Sequence, residues 1–458
     1  MRRWEQLSWE KGCSQAEVIA SAGRGIGRIA RGLTQSEDLI IILAGKGHNG
    51  DDARGARAEL SNRCVEVLEV GNPAHDLPLL ERLLEQKPAL VIDGLFGIGL
   101  TRPLDAAWTI LVERLNRSDL PVLAVDVPSG LNADTGEPQP VAVKASLTAT
   151  LGAPKRGLLA TRASAFVGRL EVVTGIGLVP CPFSGDLLWT EPSDFEGFPP
   201  PRRVDGHKGT YGHVAICAGT QGYHGAAVLA ARGALRAQPG LVSVFCDALV
   251  YLPVASQLQA AMVHPFEQPV HLPPSCSAIV IGPGLAAPNH ADTWKRFLNE
   301  HWHESPLAVI ADASALAWIE PGPTPAEYLR VITPHPGEAA RLLNLKTDQV
   351  QADRLAAVRE LSSRYGNCWV VLKGHQTLIG CGSGAVSVNP SGNPFLAQGG
   401  SGDVLAGFLG GLLAQRRLQA DPLKAIRYAA WKHGEAADRL SEYSSNWTVE
   451  DLVATLGE

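Results

Sequence analysis

Residues Asn393–Gln415 read NPFLAQGGSGDVLAGFLGGLLAQ, a small-residue turn followed by an apolar run with helical spacing. The turn is Gly399–Gly402, and Asp403 follows it directly. Glycine permits unusual φ angles and close approach by a ligand, while the start of a helix presents free N–H groups and a positive dipole end. Such a turn suits a phosphate. The acid beside it fits a base toward an attacking hydroxyl or a metal ligand, with an ordinary helix cap as the alternative.

Bulk composition limits the class of protein. A chain of 458 residues is expected to form about two or three domains. Apolar content of 45%, charged content of 19% and a net charge of −6 indicate a globular protein that binds neither nucleic acid nor an anionic membrane. No apolar run approaches the roughly 20 residues of a membrane helix, and the first residues lack the apolar region of a signal peptide. Eight singly spaced cysteines predict free thiols and a cytoplasmic location.

The first half alternates short apolar runs with polar-patterned helical stretches. Strands are predicted at Leu39–Leu43, Val65–Val70, Ala89–Ile92, Val122–Val127 and Leu170–Val173. This alternation predicts a parallel sheet covered by helices on both faces. Ligands gather at the carboxyl ends of strands in such sheets, and three unusual loops fall there: Ala44–Asp52 (AGKGHNGDD), Asp93–Pro103 (DGLFGIGLTRP) and Val125–Gly136 (VDVPSGLNADTG).

A proline-rich stretch separates this half from the next. Residues 181–203 contain no long periodic segment and end in three prolines before two arginines. We expect a first domain at residues 1–180, a linker at 181–203 and a second domain at 204–458.

The second half repeats the alternation, and special loops again follow its strands. Strands are predicted at His213–Cys217, Leu241–Phe245, Ala278–Ile281, Leu307–Ala311, Arg330–Ile332, Trp369–Leu372, Thr377–Ile379 and Ala385–Asn389. The loops are AGTQGYHGA after the first of these strands, GPGL after the third, TPHPGE after the fifth and KGHQT after the sixth.

Together these loops indicate an enzyme that transfers a phosphoryl group from a nucleotide. The GxxxxGK[ST] loop is absent, so the chain is not a P-loop protein. The transferred phosphate is expected on the N–H groups of Gly400–Gly402, with Asp403 deprotonating the acceptor hydroxyl. Lys373 and Thr377 are candidates for the nucleotide phosphates, and His335, held between two prolines, is a candidate substrate contact. A small-molecule kinase beside a non-catalytic Rossmann-like binding module is the alternative interpretation.

The same motifs resemble a known family. IGPGL, TPHPGE, KGHQT, GGSGDVLAG and WKHGEAAD are similar, in order, to ADP/ATP-dependent NAD(P)H-hydrate dehydratases. GHNGDD, DGLFGIGLTRP and VDVPSGLNADTG resemble NAD(P)H-hydrate epimerases. Their fusion in this order resembles the bifunctional NAD(P)H-hydrate repair enzymes. The resemblance implies a Rossmann-like parallel-sheet domain followed by a ribokinase-like α/β domain.

The resemblance also implies the chemistry. Hydrated NADH or NADPH occurs as two epimers, which the first domain interconverts. The second domain phosphorylates the hydroxyl of the S form, and phosphate then leaves to restore the ring. Relatives imply ADP or ATP as phosphoryl donor (ADP is favoured), Mg²⁺, K⁺ in the first domain and a homo-oligomer.

Site residues follow from the motifs by resemblance. Those implied for the hydrate in the second domain are Ala226, Gly284, His335 and, as the base, Asp403. Those implied for the nucleotide are Lys373, Gly374, His375, Gln376, Thr377, Gly400, Ser401 and Gly402. In the first domain a potassium site is implied at Asn49, Asp93 and Ser129, and a catalytic acid at Asp126. The implied substrate loops comprise His48, Asn49, Gly50, Asp51, Asp52, Gly97, Ile98, Gly99, Leu100, Thr101, Arg102 and Pro103.

The first domain departs from the family pattern at one loop. The family has GNNGGDG where residues 47–53 read GHNGDDA. A side chain at Asp51 removes the freedom of glycine if φ is positive there, and it adds a carboxylate at a helix start expected to receive pyrophosphate. The segment before Leu39 is also short for this family, which predicts the loss of a leading helix.

Overall fold

Two compact units make up the computed structural model, Met1–Ser184 and Gly185–Glu458. The structure describes residues 1–100, 102–266, 270–286, 291–325 and 327–458. Within these ranges, no helix has both the length and the apolar character needed to cross a membrane. All eight cysteines are free thiols, and four of them are buried.

The first unit is a six-stranded parallel sheet in the order β2-β1-β3-β4-β5-β6. Its strands are β1 Leu39–Ala44, β2 Cys64–Glu69, β3 Leu90–Gly94, β4 Val122–Val125, β5 Leu147–Leu151 and β6 Arg169–Val173. Its helices are α1 Arg2–Glu10, α2 Gln15–Gly32, α3 His48–Gly55, α4 Pro73–Glu85, α5 Ala106–Asn116 and α6 Ser164–Val167.

Strand β1 shows why this sheet is covered on both faces. Ile40 and Ile42 belong to one apolar cluster, while Ile41 and Leu43 belong to a second cluster. Successive side chains of a strand point to opposite faces, so a continuous apolar run is what a doubly covered parallel strand requires. The helices α1 and α2 precede this strand, so the predicted loss of a leading helix is wrong.

The second unit is a ten-stranded sheet in the order β10-β9-β8-β11-β12-β13-β14-β15-β16-β7. Its strands are β7 Leu187–Trp189, β8 His213–Cys217, β9 Leu241–Cys246, β10 Met262–Pro265, β11 Ala278–Ile281, β12 Ala308–Ala311, β13 Arg330–Ile332, β14 Trp369–Leu372, β15 Thr377–Gly380 and β16 Val386–Asn389. The strands from β10 to β14 are parallel to one another, and β15 is antiparallel to both of its neighbours.

Nine helices of the second unit fall within the described residues. They are α7 His224–Arg236, α8 Tyr251–Ala255, α9 Ala291–Glu304, α10 Pro336–Leu343, α11 Thr347–Ala352, α12 Arg354–Arg364, α13 Ser401–Leu413, α14 Pro422–Tyr443 and α15 Val449–Thr455. Every residue of α13 from Val404 to Leu413 is buried, as expected for a helix that is apolar on all sides.

Much of the segment expected as a linker, residues 181–203, belongs to the second unit. Strand β7 pairs in parallel with β16 at the sheet edge. Phe195 is buried, and its ring lies 5.5 Å from that of Tyr428. The apolar residues scattered among the prolines therefore pack onto the second core.

The backbones of helices α7 and α13 pack closely against each other at glycine residues. A Cβ atom on Gly407 would lie 1.8 Å from the carbonyl oxygen of Ala230, and one on Gly233 would lie 2.3 Å from that of Val404. Real Cβ atoms do not approach backbone this closely, so any side chain at these positions would separate the helices.

We therefore expect Gly407→Ala to lower the free energy of unfolding by about 1–3 kcal/mol, because overpacking forces the backbone to shift. Urea denaturation measures the change. Gly225→Ala, in α7 with open space around its Cβ, is the control and should leave stability unchanged or raise it by up to about 1 kcal/mol. Equal stability of the Gly407→Ala variant and the parent would contradict the packing argument.

Candidate active sites

The candidate site of the second unit lies at the carboxyl edge of its parallel strands. The chain runs from β8 to β9 and β10 on one side and returns to β11 on the other, so the direction of strand order reverses between β8 and β11. Such a switch point forms a crevice outside the strand ends. Ala226, in the first turn of α7, and Gly284, after β11, meet there: a Cβ on Gly284 would lie 2.8 Å from that of Ala226.

The N-terminus of α13 faces this edge. Gly400 caps the helix with φ 99°, a left-handed conformation that favours glycine. The N–H groups of Gly402 and Asp403 donate to no acceptor within the described residues. Ser401 Oγ donates to the carbonyl oxygen of Leu396 at 2.8 Å, so this hydroxyl holds the turn together. The free N–H groups are suited to an anion.

Three charged side chains surround this N-terminus. Lys373 Nζ donates to Asp312 Oδ1 at 2.8 Å, and a Cβ on Gly402 would lie 3.4 Å from Lys373 Nζ and 4.0 Å from Asp312 Oδ2. Burial raises the pKa of Asp403 to about 7, with Asp312 adding to the rise and Lys373 opposing it. Burial opposes the charge on Lys373, but Asp312, Glu338 and Asp403 together raise its pKa. The pKa of Asp403 is thus close to that of an efficient general base at neutral pH.

His335 is oriented by the helix that it caps. Its Nδ1 accepts a hydrogen bond from the N–H of Gly337 at 3.1 Å. The backbone N–H of His335 donates to Glu338 Oε2 at 2.8 Å. Since Nδ1 is an acceptor, the neutral ring carries its proton on Nε2. The half-exposed ring therefore presents a hydrogen-bond donor.

The loop Lys373–Thr377 is fixed from outside by Arg354. The guanidinium donates to the carbonyl oxygens of His375 (2.6 Å), Gln376 (3.1 Å) and Leu372 (3.1 Å). Gly374 has φ 134° and Gln376 has φ 53°, so the loop is tightly bent. The buried Gln376 Nε2 has no hydrogen-bond partner within the described residues, which leaves a donor for a ligand.

Asp312, Thr333 and Arg354 are site residues that the sequence interpretation missed. Asp312 carried the same signal as Asp93 and Asp126, an acid at the carboxyl end of a buried strand. Arg354 lies in a helix far along the chain from the loop that it holds, and no local pattern marks it.

The candidate site of the first unit lies at the switch point between β1 and β3. Asp93, at the end of β3, is buried and accepts bonds from Ser129 Oγ (2.6 Å), Ser129 N (2.8 Å) and Leu95 N (3.2 Å). Burial raises its pKa to about 6, and these bonds oppose the rise. Asn49 Oδ1 would lie 3.0 Å from a Cβ on Gly97, and Asn49 Nδ2 is buried without a partner within the described residues.

The residues Asn49, Asp93 and Ser129 fit a hard cation. The described residues give Asp93 no Lys or Arg partner, and the donor set of carboxylate, amide and hydroxyl oxygens is that of a hard cation. No group of three His, Cys, Asp or Glu side chains able to hold a metal occurs in the part of the chain that the structure describes.

A second buried group lies beside this site. Asp126 ends β4 because its φ of 65° turns the chain, which is why the strand is shorter than predicted. Lys155 Nζ donates to the carboxylate of Asp126, to Leu151 O (2.8 Å) and to Thr150 Oγ1 (3.0 Å). Burial raises the pKa of Asp52 to about 8, with Asp126, Asp51 and Glu5 adding to the rise. The pKa of Glu5, in α1, is raised by burial and by the charge of Asp126.

The departure at Asp51 is accommodated. Asp51 lies in the first turn of α3 and is absent from the non-glycine residues with positive φ, so the expected backbone conflict is wrong. Arg54 Nη1 donates to Asp51 Oδ1 at 2.8 Å, which offsets the added charge. His48, also implied for substrate, is exposed and lies 2.9 Å from Gln15 Nε2.

The described residues of the substrate loop after β3 are partly buried or exposed. Ile98 O accepts from Arg2 Nη2 at 2.8 Å, Gly99 has open space around it, and Arg102 and Pro103 are exposed. Thr101 lies outside the described residues.

The second unit defines a ribokinase-like α/β protein. Its fold matches a ribokinase-like protein of Enterococcus faecalis at a TM-score of 0.52 and 26% identity, covering 61% of this chain and 97% of that one. It also matches the ADP/ATP-dependent NAD(P)H-hydrate dehydratase of Bacillus subtilis co-crystallised with ATP and Mg²⁺ at a TM-score of 0.50 and 30% identity, covering 56% and 91% of the two chains.

Family models match parts of both units. Residues 214–456 match the NAD(P)H-hydrate dehydratase family, and residues 59–157 match the YjeF-related protein N-terminus. The bifunctional NAD(P)H-hydrate repair enzyme of Coxiella burnetii is 35% identical over 96% of this chain and 94% of its own length. The chain belongs to the family of bifunctional NAD(P)H-hydrate repair enzymes.

The raised pKa of Asp52 generates a pH-dependent stability. The folded state keeps the proton up to about pH 8, whereas an unfolded aspartate releases it near pH 4. The contribution of this group to stability is therefore lost as pH rises between these values. We expect the free energy of unfolding of the Asp52→Asn variant, relative to that of the parent, to increase by on the order of 1–3 kcal/mol as pH rises from 5.5 to 8.5.

Urea midpoints at these two pH values measure the difference. Asp134→Asn is the matched control, because this carboxylate of the same unit is exposed and is not among the groups that shift the pKa of Asp52, and it should follow the parent at both pH values. Parallel behaviour of the Asp52→Asn variant and the parent would show that Asp52 ionises normally.

Proposed function

We propose that this chain repairs hydrated nicotinamide nucleotides. The second unit dehydrates the S hydrate of NADH or NADPH by phosphorylation from ADP or ATP and elimination of phosphate. The first unit interconverts the R and S hydrates. The observation that carries the proposal is Asp403, a partly buried acid at a free helix N-terminus with Lys373 beside it.

Each step of the dehydration has a candidate residue. Asp403 takes the proton of the substrate hydroxyl as its oxygen attacks the terminal phosphorus, and the N–H groups at the start of α13 and the ammonium of Lys373 hold the transferred group. Loss of phosphate and of a proton from the neighbouring carbon then restores the ring double bond.

The remaining implied residues position the two ligands. His335 donates from Nε2 to the hydrate, while the small residues Ala226 and Gly284 leave room for its ring. The loop Lys373–Thr377 and the turn Gly400–Gly402 bind the nucleotide. A divalent cation bound with the nucleotide, Mg²⁺ in the Bacillus relative, neutralises phosphate charge. We favour ADP as donor, and the resemblance extends the proposal to a cytoplasmic homo-oligomer.

In the first unit we propose that Asp126 is catalytic and that residues 48–52 and 97–103 bind the hydrate. Asn49, Asp93 and Ser129 hold K⁺, which would balance the buried carboxylate of Asp93 and fix the loops around it. The support is the buried Asp93 without a cationic side chain and the free amide of Asn49.

The deciding experiment is incubation of mixed hydrate epimers with ADP or ATP, following both epimers and inorganic phosphate. Phosphate released in step with recovered NADH absorbance supports dehydration. A stable phosphorylated product would instead indicate the kinase alternative.

Asp403→Asn is expected to reduce dehydration by about 10²–10⁴-fold, because the general base is removed. Nucleotide affinity measured by calorimetry should persist, because the helix N–H groups and Lys373 remain. Asp348→Asn, an exposed acid in the first turn of α11, is the control for a helix-start acid outside the site. A near-parental rate for the Asp403→Asn variant would refute the role of Asp403.

The same variant isolates the first unit. With dehydration blocked, pure R hydrate added to the Asp403→Asn variant should equilibrate with the S hydrate faster than in buffer, as resolved by chromatography. Additional Asp126→Asn substitution should abolish the acceleration. Equilibration no faster than the spontaneous rate in the first variant would mean that the first unit is not an epimerase.

A further inference from the structure

Asp312 forms the centre of a short chain of polar contacts beneath the phosphate position. It is 1% exposed and follows β12 directly. Its Oδ1 accepts from Thr333 Oγ1 at 2.6 Å and from Lys373 Nζ at 2.8 Å. These three residues follow the adjacent parallel strands β12, β13 and β14.

The backbone of Asp312 is fixed as firmly as its side chain. Its N–H donates to Ile281 O at 3.1 Å, and a Cβ on Gly282 would lie 1.8 Å from its carbonyl oxygen. No space therefore remains for this residue to shift. The contact with Lys373 transmits that rigidity to a side chain with four rotatable bonds.

The pairing is not explained by stability alone. A buried ion pair seldom stabilises a fold more than apolar residues of similar size would, because both charges lose hydration. Lys373 is also not sealed in the core, since its side chain is 21% exposed and its ammonium lies beside Gly402. The ammonium thus lies beside the start of α13.

We propose that Asp312 is a positioning residue for phosphoryl transfer: it holds the ammonium of Lys373 opposite the N-terminus of α13, and its charge acts on the base Asp403. The inference rests on the proposed function. Asp312 reaches the transferred phosphoryl group only through Lys373, so its effect is on placement of charge and on the base.

The charged groups around Asp403 determine the expected pH response. Asp312 raises the pKa of Asp403 and Lys373 lowers it. From α14, His433 Nε2 lies 2.9 Å from Ser401 O, and burial lowers its pKa to about 4, so it is neutral. Glu338, in α10, acts on Lys373. Replacing Asp312 by a neutral isostere therefore lowers the pKa of Asp403.

The Asp312→Asn variant distinguishes a positioning role of Asp312 from a general disruption of the fold. We expect kcat for dehydration to fall at least tenfold, the acid limb of the kcat/KM profile to move to lower pH, and the affinity for ADP by calorimetry to be unchanged or tighter. The affinity should not fall, because a negative charge leaves the anion site while Lys373 stays. A variant damaged in its fold would lose affinity.

Two further variants complete the test. Thr333→Val removes the neighbouring bond without a charge change, so kcat should fall several-fold with the acid limb unmoved. In a Lys373→Met background, Asp312→Asn should cause little further loss of kcat, because the two residues act as one unit.

The inference is overturned if Asp312→Asn leaves kcat unchanged, leaves the acid limb in place, or abolishes ADP binding. Additive losses in the double variant would also overturn it. Should the Asp312→Asn variant not fold, an unchanged kcat in the Thr333→Val variant would overturn it. Failure of the parent to release phosphate from either ADP or ATP in the presence of the hydrate would instead refute the proposed function. The ADP affinities of the variants would still show whether Lys373 contributes to nucleotide binding.

Discussion

The close contact between α7 and α13 is the constraint on which the second site depends. At Gly233 and at Gly407, a carbonyl oxygen of the opposite helix occupies the space where a side chain would lie. The contact brings the first turn of α7, with Ala226, and the first turn of α13, with Asp403, to the same edge of the sheet. If ordinary side chains separated the two helices, Asp403 would lie farther from Ala226.

Both units place buried aspartates at the carboxyl ends of parallel strands, but the groups that bind these aspartates differ. Asp93, Asp126 and Asp312 each lie buried at the carboxyl end of a buried strand. Asp93 is held by a hydroxyl and N–H groups, Asp126 by Lys155, and Asp312 by Lys373. The partner determines what remains for a ligand: a carboxylate with no cationic partner among the described residues in the first case and oriented positive charge in the last.

Much of the fold follows from periodicity alone, and the exceptions have physical reasons. The run LIIIL and its counterparts form the central parallel strands as predicted. The interpretation missed β5 (LTATL) because two threonines interrupt the apolar run. Thr148 Oγ1 donates to Val167 O at 2.7 Å, so a buried polar residue is compatible with a strand. It also missed β7 and β10, which are short strands at the two sheet edges.

The candidate site was predictable where its residues lie in contiguous loops. The resemblance selected Lys373–Thr377 and Gly400–Asp403 because each is a motif with its own spacing, and their roles stay predictions. It overstated the conflict at Asp51, since sequence alone does not show that this residue is helical and paired with Arg54. Asp312 and Thr333 required the register of β12 and β13, which depends on distant strands.

The bond network of Arg354 has an entropic consequence. Three carbonyl oxygens of residues 372–376 are tied to one guanidinium that is anchored in α12. The loss of conformational freedom in this loop therefore occurs when the chain folds, before any nucleotide arrives. Association then orders few new torsions, so more of the interaction free energy is expressed as affinity.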